Sequence, residues 1–123
     1  MKQLLLIAVG GALGAVSRYG VSNGVYHLMG RGFPYGTLVV NLIGSFFIGL
    51  LSVWFIERFS LSPEWRATVI IGFLGAFTTF ATFSFETLNL LEQSAYLKAG
   101  LNMLLSVSTC LFAVWLGVLT ARL

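Results

Sequence analysis

Four long apolar segments limit what this chain can fold into. They cover approximately residues 4–28, 35–56, 66–91 and 96–119. A helix needs about 20 residues to cross the hydrocarbon core of a bilayer, and each segment is long enough. Of the 123 residues, 58% are hydrophobic and 9% are charged, whereas a soluble domain has about 25% charged residues. We therefore predict an all-α membrane protein in which residues 1–123 form a single domain of four transmembrane helices in contact with lipid.

The third apolar segment contains a stretch, residues 72–86, that is rich in glycine and hydroxyl side chains. Glycine and β-branched threonine are poor helix formers. In hydrocarbon, a loosened backbone is tolerated only where protein or a polar cavity covers its free amides and carbonyls. We therefore expect the third helix to be broken mid-membrane, with a binding site at the break.

Two other segments each carry three polar residues at four-residue spacing, which places them on one helical face. These residues are Thr37, Asn41 and Ser45 in the second segment, and Asn102, Ser106 and Cys110 in the fourth. For Thr37 and Ser45, hydrogen bonding to a neighbouring helix and lining of a polar pathway are both open interpretations. An unpaired Asn41 amide in hydrocarbon would cost a few kcal/mol, on the order of 2–7, so Asn41 must meet a partner or a permeating species.

Two aromatic rings in the third segment, Phe80 and Phe83, are three residues apart and therefore share a helical face. The edge of an aromatic ring carries positive charge, so edges turned toward a pathway would solvate an anion weakly without trapping it. Packing of both rings in the protein core is the alternative, and these residues taken alone favour it.

Several other function classes lack the residues that they need. With one His, one Cys, no Asp and dispersed Glu residues, the chain offers neither a catalytic triad nor a zinc site, so we do not expect an enzyme. The net charge of +3 does not imply nucleic acid. A proton-coupled exporter of the small multidrug resistance type would need a carboxylate in the first span, which has none. A membrane scaffold would not explain the polar faces and the broken span. Arg18, inside the first span, either extends to an interface or faces a water-filled vestibule.

The motifs in combination resemble the Fluc (CrcB) family of fluoride channels. The matching residues are the Gly-Thr-Leu-Val-Val-Asn run at 36–41, residues 78–84 with Glu86, and Gly10, Gly11 and Arg18 in the first span. The resemblance extends over essentially the whole chain. It implies an antiparallel homodimer with dual topology, in which two subunits of opposite orientation form two pores. Such a channel would export fluoride passively across a bacterial inner membrane and so lower cytoplasmic fluoride and its toxicity.

The resemblance also implies roles for individual residues. The candidate fluoride-path residues are Asn41 as a pore-lining amide donor, Phe80 and Phe83 as an aromatic box, and Ser106, with Thr37, Thr82 and Asn102 as further candidates for a polar track. The backbone carbonyls of Gly75 and Thr78, from both subunits, would hold a structural sodium ion that is not transported. Bulk at Gly75 is then expected to disturb the turn that aims its carbonyl.

The chain departs from the family pattern in the detail of the pore lining. Ala76 stands where glycine often follows Gly75, and Ala81 replaces a common serine. Asn102 and Cys110 occupy positions that elsewhere hold other polar residues. These differences leave the core motifs intact.

The basic residues of the loops show only a modest asymmetry. On the side of the N-terminus lie Lys2, Arg58, Arg66 and Arg122, and on the other side lie Arg31 and Lys98. A strong excess of basic residues on one side would fix a single orientation. The count therefore permits both orientations without requiring them.

Overall fold

The computed structural model describes residues 1–58 and 60–123, and most of them are helical. Helix α1 is Lys2–Met29, and α2 is Tyr35–Val53, which continues in wider, π-helical turns over Trp54–Arg58. Helix α3 consists of Pro63–Arg66, a π-helical part Ala67–Leu74 and a last turn Gly75–Phe77; α4 is Phe80–Glu92 and α5 is Tyr96–Arg122. The helical regions Lys2–Met29, Tyr35–Arg58, Pro63–Glu92 and Tyr96–Arg122 are each long and apolar enough to cross a membrane. The predicted all-α architecture with four spans is confirmed.

Glycines allow α1 and α3 to pack with their backbones close together. Gly10 and Gly14 are buried in α1. A Cβ atom added to Gly10 would lie 2.4 Å from the carbonyl oxygen of Thr68, and one added to Gly14 would lie 2.2 Å from that of Phe73. Because the clashing atoms belong to the backbone, no side-chain rotation could relieve them. Small residues of this kind let membrane helices approach one another.

A second extensive helix pairing joins α2 and α5. It depends on a reciprocal pair of glycines: a Cβ on Gly49 would lie 2.3 Å from the carbonyl oxygen of Val114, and one on Gly117 would lie 2.1 Å from that of Phe46. Near this crossing Leu50 packs with other apolar side chains in a small core. Helices α2 and α5 thus form a closely packed pair, as α1 and α3 do.

The third span is broken, as the sequence predicted. Its first half, α3, packs along α1, whereas its second half, α4, contacts α5. Residues 78 and 79, near the midpoint of Pro63–Glu92, connect the two halves and are not helical. The break therefore carries the chain from one side of α2 to the other.

Candidate functional site

The break lies at Thr78 and Thr79, whose backbones are extended, with φ −88° and ψ 158° at Thr78 and φ −152° and ψ 115° at Thr79. The Thr79 hydroxyl accepts a hydrogen bond of 3.1 Å from the N–H of Thr82 and so caps the start of α4. The carbonyl end of α3 and the amide end of α4 thus meet inside the span. These helix ends carry partial charges of opposite sign, negative at the carbonyls and positive at the amides.

The Asn41 side chain of α2 holds the extended segment through two hydrogen bonds to the backbone of one residue, Thr79. Its Oδ1 accepts from the backbone N–H of Thr79 at 2.7 Å, and its Nδ2 donates to the Thr79 carbonyl oxygen at 3.0 Å. In a continuous helix that N–H would donate to the carbonyl of Gly75. An amide nitrogen carries two N–H groups, so Asn41 has a second donor besides the one bound to Thr79.

A cleft of about 320 Å³ opens beside the break. Its walls come from α2, the break, α4 and α5: Asn41, Gly44, Ser45, Ile48, Thr78, Thr79, Phe80, Phe83, Ser106, Val107 and Cys110. The structure therefore brings together all four candidate fluoride-path residues, with members of both polar faces. The result is a mostly apolar cleft that contains a few polar groups.

The two candidate rings contact each other but differ in burial. The ring centroids of Phe80 and Phe83 are 5.3 Å apart and the ring planes are inclined by 43°. Phe83 is only 8% exposed, whereas Phe80 is 75% exposed. Core packing therefore accounts for Phe83 but not for Phe80, which lies on the surface of the single chain.

Asn102 does not line this cleft but links α5 to α4 by a hydrogen bond. It is 2% exposed, and its Nδ2 donates to the Thr87 hydroxyl at 2.8 Å. The Thr87 hydroxyl in turn donates to the carbonyl oxygen of Phe83 at 2.8 Å. Ser106 donates to Asn102 Oδ1 across 3.4 Å, which is long for a hydroxyl donor. The Ser106 hydroxyl is therefore weakly held and can turn toward the cleft that it lines.

A second, smaller cleft of about 200 Å³ lies on the other side of the break. Thr37 and Thr82 line it, so these two further candidates are separated from the first cleft, which Phe80 and Phe83 line. Arg18 also lines it, half-buried, together with other polar residues of α1. Thr79 lines both clefts, so this one residue of the break lies between them.

Sequence reasoning missed a contact between Tyr26 and Glu86. The Tyr26 hydroxyl donates to Glu86 Oε2 at 2.9 Å, and the guanidinium carbon of Arg31 lies 4.5 Å from the centre of the Tyr26 ring. The other carboxylate oxygen, Oε1, is buried and has no hydrogen-bond partner among the described residues. The ring rests on Gly36, where an added Cβ would lie 2.5 Å from it. No local spacing could reveal a contact between residues 60 positions apart.

The carbonyls of Gly75 and Thr78, predicted to bind sodium, stand at the carbonyl end of α3. Gly75 is exposed, and the N–H of Thr79 that would normally bind its carbonyl is donated to Asn41 instead. Hard monovalent cations suit oxygen ligands, so this donor set fits sodium. The expectation that Gly75 shapes a turn is wrong: Gly75 is helical, with φ −61° and ψ −39°, and an added Cβ would meet only the Ile70 carbonyl oxygen at 3.7 Å.

The fold and the clefts define a polytopic helical membrane protein with a broken third span. The family model described as "CrcB-like protein, Camphor Resistance (CrcB)" matches residues 5–118. The chain belongs to this family, which confirms the resemblance drawn from its motifs and the expectation that it is not an enzyme.

Curated relatives support the same assignment. A protein of Methylococcus capsulatus named fluoride-specific ion channel FluC is 59% identical over 97% of this chain, although this chain spans only 52% of that protein. A protein of Hydrogenovibrio crunogenus with the same name is 55% identical over 98% of this chain and 91% of the relative. One from Coxiella burnetii is 52% identical over 97% of both chains.

Proposed function

We propose that this protein is a fluoride channel that allows passive export of fluoride and so lowers its cytoplasmic concentration and toxicity. The observation that carries the proposal is the cleft at the break, which joins Asn41, Phe80, Phe83 and Ser106 in a member of a family whose relatives are named fluoride channels. A bacterial inner membrane is the proposed location.

The chemistry of the cleft suits a small anion that is partly dehydrated. The second N–H of Asn41 and the hydroxyl of Ser106 can donate hydrogen bonds, and ring edges of the two phenylalanines supply weak positive charge. Among the residues that the structure describes, neither Lys nor Arg lines the cleft, so no fixed cation would hold the anion tightly. Conduction requires binding that is favourable enough for entry yet weak enough for release.

We further propose that the channel is an antiparallel homodimer. A carbonyl exposed at the middle of a span cannot remain unsatisfied in hydrocarbon. Gly75 and the ring of Phe80 are both exposed on the single chain, beside the break. A second copy that covers this surface would enclose both, and the modest asymmetry of loop charge permits the opposite orientation.

The proposed sodium ion would be held by the carbonyls of Gly75 and Thr78 from both copies. Two subunits related by a two-fold axis would contribute about four oxygens. The ion would neutralise the partial negative charge of two α3 ends and would remain in place while fluoride passes.

The decisive experiment is fluoride efflux from liposomes that contain the purified protein, followed with a fluoride electrode. We expect rapid efflux of fluoride and little efflux of chloride under the same gradient. Protein-free liposomes provide the control. Equal rates for both anions, or no efflux from liposomes shown to contain folded protein, would refute the proposed function.

A further inference from the structure

The extended segment at Thr78 and Thr79 crosses one face of α2, where it contacts Asn41 and Gly44. Asn41 forms both of its hydrogen bonds with the Thr79 peptide, at 2.7 Å and 3.0 Å. Gly44 accommodates the Thr78 methyl group, because a Cβ added to Gly44 would lie 2.2 Å from Thr78 Cγ2. Positions 41 and 44 are three apart and therefore share a helical face. Together these two residues form the surface of α2 that contacts the break.

We propose that Asn41 is a positioning residue that keeps the third span broken, in addition to lining the anion path. Its Oδ1 takes the place of the helical acceptor that the Thr79 N–H has lost, and its Nδ2 donates a further hydrogen bond to the Thr79 carbonyl. The acceptor satisfies an N–H that a membrane-embedded break would otherwise leave unpaired, and the donor adds a second hydrogen bond to the residue that caps α4. Apolar residues of similar size could do neither.

The position of the break follows from this arrangement. Thr78 still belongs to α3 by its own bonds, since its N–H and its hydroxyl both donate to the carbonyl oxygen of Leu74. Thr79 is the first residue whose N–H turns away from the helix, and the partner to which it turns is Asn41. The carbonyl of Gly75 thereby loses its usual partner. This last step, that the free carbonyl serves a cation, rests on the proposed function, whereas the positioning role does not.

The test is amide hydrogen exchange in protein labelled with ¹⁵N-threonine and studied by NMR in detergent micelles. The chain has eight threonines, and the Thr79 signal is identified by its loss in Thr79→Ser. In Asn41→Ala we expect the Thr79 amide to exchange about tenfold faster, because one hydrogen bond is lost. In Asn41→Asp the side chain keeps an acceptor, so the Thr79 amide should stay protected.

Two controls distinguish this role from general loosening of the fold. Ser45→Ala changes another residue of the same cleft, one turn further along α2, and should leave Thr79 exchange unchanged. The amide of Thr109, inside α5, serves as an internal reference and should not change in any variant. Faster exchange at Thr79 in Ser45→Ala, or at Thr109 in Asn41→Ala, would overturn the proposal.

Unchanged exchange of the Thr79 amide in Asn41→Ala would also overturn the proposal. So would equal exchange rates of this amide in Asn41→Ala and Asn41→Asp. The outcome is independent of transport. If Asn41 protects Thr79 in a protein that conducts no fluoride, the positioning role stands and the proposed function falls. If sodium does not change Thr79 exchange in the wild type, the positioning role stands and the sodium site loses its support.

Discussion

Gly117→Ala should separate α2 and α5, whose backbones approach closely at this glycine. The added Cβ would lie 2.1 Å from the Phe46 carbonyl oxygen and 2.8 Å from the Leu50 nitrogen, both backbone atoms of α2. A carbon–oxygen contact needs about 3.3 Å, so the helices must move apart by about 1 Å. A gap of about that size forfeits a quarter to a half of the dispersion energy of each contact across it. Overpacking of this kind costs about 1–3 kcal/mol, against which the better helix propensity of alanine returns up to about 1 kcal/mol.

The matched control is Gly100→Ala in the same helix, where an added Cβ would meet no atom within 4 Å. Unfolding of the protein in mixed micelles, titrated with a denaturing detergent and followed by circular dichroism, should show Gly117→Ala destabilised by about 1–2 kcal/mol. Gly100→Ala should be neutral or slightly more stable. Gly49→Ala combined with Gly117→Ala should cost less than the sum, because the helices need to separate only once. If Gly117→Ala matches Gly100→Ala, the close crossing of α2 and α5 is wrong.

The proposed pathway leads to three further predictions, each measured as fluoride efflux from liposomes. Asn41→Asp should slow efflux more than about tenfold, because two like charges about 4 Å apart repel by about 4 kcal/mol at an effective dielectric constant of about 20; normal efflux would remove Asn41 from the path. Phe80→Ile and Phe83→Ile keep apolar volume but delete the ring edge, so each should slow efflux several-fold, given about 0.5–1.5 kcal/mol for a favourable ring geometry; unchanged efflux in both would mean that the rings only pack. Thr78→Ser keeps its carbonyl and should conduct nearly normally. Gly75→Val, whose Cβ would meet only the Ile70 carbonyl oxygen at 3.7 Å, should reduce efflux by obstructing a second copy, and the yield of crosslinks between copies should fall with it. An unchanged crosslinking yield would contradict that explanation.

The sequence was sufficient to predict the four spans and the broken third span, because length, composition and poor helix formers act locally. The residues alone placed the break only within 72–86, and the resemblance placed it at Gly75 and Thr78. Gly72 is helical and serves the contact with α1, where an added Cβ would lie 2.7 Å from the Ile7 carbonyl oxygen. The break falls instead at Thr79, which caps α4 through the N–H of Thr82. A threonine three residues before a helical N–H is a recognisable capping pattern, so this part was available in the sequence.

The four-residue spacing predicted only part of the cleft lining, for a geometric reason. Four residues advance a helix by about 40° more than one full turn, so the outer members of each polar face diverge by about 80°. Thr37 therefore reaches the second cleft while Ser45 lines the first. Asn102 turns inward to Thr87 while Cys110 faces the cleft. The bonds of Asn41 to Thr79 could not be predicted from spacing, because they join residues 38 positions apart.

The break brings backbone groups with partial charges of opposite sign close together in the chain. Where α3 ends, carbonyl oxygens lose their helical partners and carry partial negative charge; where α4 begins, amides carry partial positive charge. Between these helix ends, the Asn41 side chain forms hydrogen bonds with the N–H and the carbonyl of Thr79. Gly75 is exposed on the single chain. No side chain among the described residues is recorded as donating to its carbonyl, which would face hydrocarbon unless a second copy or a cation covered it. A cation there would also reduce the negative charge that an anion meets at Phe80, on the other side of the break. In the proposed channel, the sodium ion and the second copy would therefore serve the same purpose as Asn41, which is to allow a helix to stay broken where a lipid bilayer would otherwise close it.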